Sequence, residues 1–202
     1  MIEKKQLIKD INKKCKIFFN ESTFFLDPSS ANKFESKGTY HSKAINFYKN
    51  EGAEITVIKW FSNFWVYLAI KFENNNTFIS LSLFQGEEED PSKNQLFRAE
   101  WDDYNNPEEK HPQPHWHITS NRAIENTFIE LIEGDAEEGF AAQILNEEKA
   151  KIVDINKMHF AMNGNWKNND LDVHPINNNE AIVNWFQGLF SNLKEQLQYI
   201  SK

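Results

Sequence analysis

The chain has 202 residues, 40% of them hydrophobic and 14% aromatic, enough apolar side chain to bury a core without cross-links. Its 30 acidic residues outnumber 22 basic ones for a formal net charge of -8, which argues against a protein built to grip a polyphosphate backbone. The lone cysteine, Cys15, rules out an internal disulfide and any paired-cysteine zinc or redox motif, and so points to a reducing compartment.

Met1 to Ile8 lacks the apolar stretch and small-residue cleavage site of a signal peptide, and the most apolar segment, Phe64 to Ile70, is far shorter than a bilayer span. The expectation is a soluble cytoplasmic protein with one domain over residues 1–202. Leu7, Ile8, Ile11, Cys15, Phe18 and Phe19 recur at helical spacing, so a lysine-rich amphipathic helix opens the chain and Asp27-Pro-Ser-Ser breaks it. Cys15 falls among the apolar positions of that helix and reads as a small buried side chain. Strand signals follow at Ala44 to Phe47, Ile55 to Trp60, Phe64 to Phe72, Thr77 to Phe84, Leu96 to Asp102 and His115 to Thr119, in the pattern of an antiparallel meander. Asn74, Asn75 and Asn76 supply its clearest turn, because asparagine tolerates positive φ and bonds its own backbone. Glu87 to Asp90, between Gly86 and Pro91, reads as a solvated loop.

Beyond the strands, Ser120 or Asn121 caps a helix carrying Ile124, Phe128, Leu131 and Ile132, and a second helix is expected from Asp135 to Lys149. The strongest helical pattern is the last. From Asn179 onward, Ile182, Trp185, Phe186, Leu189, Phe190, Leu193, Leu197 and Ile200 repeat at three- and four-residue steps. The fold class that follows is α+β, a single antiparallel sheet of five or six strands packed on its aromatic face by N- and C-terminal helices.

The chemistry concentrates in Lys110-His-Pro-Gln-Pro-His-Trp-His-Ile-Thr119, which holds three of the chain's six histidines. Side chains alternate along a strand, so His115 and His117 share one face while Trp116 and Ile118 take the other. Pro112 and Pro114 keep His111 in a lead-in segment able to fold back over that face. Arg98, Glu100 and Asp102 likewise share one face of the preceding strand. Pairing of the two strands brings imidazoles and carboxylates together, a donor set suited to zinc, manganese or iron. The expected metal ligands are His115, His117 and His111, with His159 as a further imidazole. Glu100, Asp102 and Arg98 are the catalytic candidates, the acids completing the set or activating water and the arginine steadying anionic charge. The same residues also suit an ordinary solvated sheet face carrying His–acid pairs. His159 equally suits a hydrogen-bonded core position among Met158, Phe160 and Met162, and His41 and His174 read as surface residues.

Gln113 to Ile118 resembles the histidine-triad nucleotide hydrolases and transferases, which would make His115 a nucleophile, although Gln113 stands where the first histidine belongs. His117-Ile-Thr119 is similar to one half of the two-histidine phosphoesterase pattern, whose second tripeptide is missing here. More broadly, the His111-Pro-x-x-His115-x-His117 and His159-Phe-x-Met162 boxes resemble those of small bacterial proteins of uncharacterised activity. Together with a Lys- and Asn-rich, Gly-poor composition, this leads to the expectation of a bacterial accessory or binding subunit. It would act through protein–protein contacts, for example in a multigene defence or toxin and immunity system. The alternative is a metal-supported phosphoester hydrolase using the His115 and His117 face. A protein partner is expected, with neither membrane nor nonspecific nucleic-acid binding. Residues 1–50 carry ten lysines against five carboxylates, and residues 86–110 nine carboxylates against three basic residues, so such contacts would be steered by charge.

Overall fold

The computed structural model describes residues 2–48, 51–73, 76–90, 93–102, 114–118, 147 and 178–201. The two helices expected after Ser120, apart from helical Glu147, and the positions of His111, His159 and His174 lie outside the described residues.

Helix α1 (Lys4–Cys15) buries Leu7, Ile8, Ile11 and Cys15 and turns its lysines outward, then tightens into a 3-10 turn over Lys16–Phe18. Strands β1 (Phe25–Ser30) and β2 (Lys33–Lys37) form a hairpin where Asp27-Pro-Ser-Ser reads in sequence as a break. Pro28 is tolerated there because β1 is the sheet's edge, where a missing N–H interrupts no inner ladder. The six expected strands follow as β3 (His41–Tyr48), β4 (Glu51–Phe61), β5 (Phe64–Glu73), β6 (Asn76–Gln85), β7 (Asn94–Asp102) and β8 (His115–Ile118).

From β3 to β8 each strand pairs antiparallel with the next, as a meander requires. The β5–β6 hairpin closes on the Glu73–Asn76 pair, as the asparagine turn predicts. The departure from a plain meander lies at β5. Its first half pairs with β4, as Ile58 with Val66, and its second half with β2, as Phe34 with Ile70, so the β3–β4 hairpin peels away from the main sheet.

Alternation gives this sheet two unlike faces. On one, Val66, Leu68, Ile70 and Phe72 of β5, Leu81 and Leu83 of β6, and Phe97, Ala99 and Trp101 of β7 meet α1 and helix α2 (Asn179–Ile200). Helix α2 contributes Ile182, Phe186, Phe190, Leu193 and Leu197, all fully buried. It is capped by Asn178, whose side chain accepts a 2.9 Å hydrogen bond from the Ala181 N–H. The Asn179 side-chain amide then exchanges two hydrogen bonds with the Glu3 backbone, at 3.0 and 3.1 Å, and ties the starts of both helices together. Trp185, expected in this stripe, is only half-buried and packs at the margin of the core, while its neighbour Phe186 points inward.

The other face is mixed. It carries a small apolar cluster of Ala44, Val57, Trp65, Tyr67, Ala69 and Phe84, beside a layer of buried polar side chains roofed by β3.

Candidate metal centre

Two rows of side chains cross the mixed face from strand to strand. Register places Glu35, Ala69, Ser80, Glu100 and His115 in one, and Tyr67, Ser82, Arg98 and His117 in the next. The middle positions are small, and β3 crosses over them. Asn46 Oδ1 accepts hydrogen bonds from Ser82 Oγ at 2.8 Å and from Gln95 Nε2 at 3.1 Å, while the Phe47 N–H donates to Gln95 Oε1 at 2.7 Å. Gln95 reaches this face because of an irregularity in the β6–β7 register. Leu83 pairs with Phe97 but Phe84 with Gln95, leaving Leu96 as the extra residue.

At the β7–β8 end the expected pairing forms, with Glu100 opposite His115 and Arg98 opposite His117. Glu100 Oε2 lies 3.0 Å from His117 Nε2 and 3.6 Å from His115 Nε2, and the two imidazole nitrogens are 2.7 Å apart. Three ligating atoms from two strands thus converge on one point. His117 opens that point to solvent with 40% of its side chain exposed, whereas the His115 side chain is at 14% and that of Glu100 at 4%.

A buried carboxylate needs a compensating charge, and Arg98 supplies it. Its Nε stands 2.6 Å from Glu100 Oε1, its Nη2 donates to Oε2 at 3.3 Å, and its Nη1 donates to the Phe47 carbonyl oxygen. Arg98 is itself buried, so removing either partner would strand the other at a cost of about 3–5 kcal/mol.

Zinc–nitrogen bonds of about 2.0–2.1 Å imply ligand atoms roughly 3.3 Å apart around a tetrahedral ion. The 3.0 and 3.6 Å separations bracket that value, and the imidazoles need to part by only about 0.6 Å. Without an ion, a 2.7 Å N···N contact is a hydrogen bond in which one ring donates and the other accepts, so two protonated imidazoles would not tolerate it. Two imidazoles and one carboxylate on one side of an ion are the donor set that leaves coordination positions for water or substrate.

Of the residues singled out in the sequence, the structure brings Glu100, His115 and His117 together, with Arg98 against Glu100. Asp102, also on this face, sits beyond the last β7–β8 pair and is not among the converging donors. Alternation puts Arg98 on the Glu100 face, but its contact with the β3 backbone has no trace in the sequence, since β3 gives no signal that it crosses the sheet.

A separate cavity of about 560 Å³ lies between the β1–β2 and β3–β4 hairpins, lined by Phe25, Glu35, His41, Glu54, Ile55 and Tyr67 among others. Its carboxylates already have partners. Glu35 pairs with Lys33 at 2.6 Å and accepts from the Tyr67 hydroxyl at 2.5 Å, and Glu54 pairs with Lys43 at 2.7 Å. Despite the burial that opposes it, hydrogen bonds from Lys33 and Tyr67 hold the Glu35 carboxyl below its ordinary value, and burial together with that carboxylate pushes the Tyr67 phenol far up. This is a satisfied network with no convergent donor set.

Among the described residues no helix is long and apolar enough to cross a membrane. Set against family models, curated proteins and solved structures, the chain has no match.

Proposed function

We propose that this chain binds a divalent metal ion, zinc or manganese, through Glu100, His115 and His117, and that the centre serves hydrolysis of a phosphoester. The observation that carries the reading is the convergence of three donor atoms within 2.7–3.6 Å of one another, two of them on the short strand β8. A buried, charge-compensated carboxylate beside a solvent-open imidazole supports a site with a fixed side and an exchangeable side. A bound divalent ion would lower the pKa of coordinated water and polarise a phosphoryl oxygen. The protein's own part is to hold the donors apart from the core. Trp116 stacks edge-on against Phe97, with ring centroids 5.4 Å apart, on the opposite side of β8, and so anchors the strand that carries both histidines.

The test is metal content by plasma mass spectrometry on untagged protein offered zinc or manganese, followed by turnover of bis(p-nitrophenyl) phosphate. Wild type should bind one ion per chain, and His115→Ala combined with His117→Ala should abolish binding. Wild-type protein that takes up neither ion would remove the metal centre altogether.

A second reading keeps the chain noncatalytic, as a binding subunit, and rests on the exposed strip of Trp116 and Ile118, 37% and 55% accessible on the outermost strand among the described residues. The exposed lysines of α1 would add charge steering toward an acidic protein surface. Stoichiometric metal without turnover of any phosphoester probe would favour this reading over the hydrolase.

A further inference from the structure

We infer that Arg98 is the positioning residue that sets which ion the centre accepts, by leaving Glu100 a single oxygen for the metal. The inference rests on the metal reading above and goes on to name the ion. The guanidinium is anchored at two ends, by the Glu100 carboxylate and by the Phe47 carbonyl oxygen. The Phe47 backbone is held twice by β7 side chains, its N–H donating to Gln95 and its carbonyl accepting from Arg98, so β3 clamps the guanidinium against Glu100. Oε1 forms the close ion pair with Arg98 Nε at 2.6 Å, and Oε2, which also accepts from Nη2 at 3.3 Å, is the oxygen turned toward His115 and His117.

A carboxylate that offers one oxygen, beside two imidazole nitrogens, makes a low-coordinate site rich in nitrogen. Zinc and cobalt accept such a set. Calcium needs six to eight oxygens and often a two-oxygen carboxylate, magnesium needs octahedral oxygen, and manganese favours carboxylate and water over imidazole. The arginine thus acts as an ion filter, and the centre is a zinc site. Loosening the clamp would let Glu100 turn both oxygens to the ion and admit the oxygen-preferring metals.

The experiment uses the full chain with the metals alone as probes. Zinc and manganese dissociation constants are measured by chelator competition for wild type, Arg98→Lys and Arg98→Met, and the visible spectrum of the cobalt-loaded forms is recorded. Lysine keeps the charge but not the planar two-point fork, so it compensates Glu100 if methionine prevents folding. In both variants the preference for zinc over manganese should shrink at least tenfold, and the intense cobalt absorption of a four-coordinate site should weaken as coordination number rises. A merely structural role for Arg98 would weaken both metals together and leave their ratio and the band shape alone. An unchanged ratio overturns the inference, as does a weak six-coordinate spectrum of cobalt in the wild-type protein, a readout that needs no variant. Wild type that binds no zinc, manganese or cobalt instead refutes the metal reading, and the filter with it.

Discussion

Replacing Phe190 by alanine should cost about 4–5 kcal/mol, the upper half of the range for emptying a buried phenylalanine site. The side chain is fully buried on α2. Its ring centroid lies 5.5 Å from each of Phe18, Phe19 and Trp60 and 6.4 Å from Phe24, so the loss includes ring contacts as well as transfer from water. The hole cannot readily close, because those rings come from three separate segments, the turn after α1, the approach to β1, and β4, which would have to move together. With a urea m-value of about 2 kcal/mol/M, the midpoint of unfolding should fall by roughly 2 M. The half-buried neighbour Trp185→Ala supplies the control, at about 1–2 kcal/mol. A fall of less than about 0.5 M for Phe190→Ala, or a larger one for Trp185→Ala, refutes the placement of the α2 stripe on the core.

Two further outcomes follow from positions the site does not use. Gly188 lies on the exposed side of α2 with open space where a Cβ would go, so Gly188→Ala should stabilise the protein by about 0.5–1 kcal/mol in thermal or urea unfolding; a loss of stability would show that the position is crowded. Burial pushes the Cys15 thiol up to about 12, so the folded state keeps its proton over a pH range in which the unfolded thiol gives it up. The stabilisation this provides is complete below about pH 8.5 and is lost as pH rises toward 12, and the native thiol should resist a disulfide reagent at pH 8 but react at once in urea. Fast native-state labelling would place Cys15 at the surface.

Much of this architecture was legible because it depends on period. The repeat from Ile182 to Ile200 and the alternation in β5, β6 and β7 each name a buried face, and the asparagines between β5 and β6 name the register. Alternation also put His115 with His117 and Glu100 with Arg98, so the candidate centre could be assembled once β7 and β8 were taken as neighbours. Two features depend on relations between distant segments, and alternation carries no trace of them. The β1–β2 hairpin hides behind Pro28, which looks like a break until the strand is known to be an edge. The crossing of β3 over β7 is bonded through Asn46, Gln95 and Arg98, polar residues whose contacts only the folded chain reveals. The same ambiguity makes Asp102 look equal to Glu100 in sequence, although it lies beyond the last β7–β8 pair among the described residues.

The clasp between Glu3 and Asn179 joins residues 176 positions apart, and this sets the order in which the chain can complete itself during synthesis. Among the described residues, the apolar face of β5, β6 and β7 is covered by α1 and α2. The strands from β3 to β7 pair with neighbours in sequence and can zip as they emerge, but half of their cover has not yet been made. Translation at about 5–20 residues per second leaves that face waiting on the order of 5–20 s between the end of β7 and the end of α2. A nascent chain in that interval has this face covered, among the described residues, by α1 alone, so truncation before residue 179 should expose the positions that α2 fills and favour aggregation.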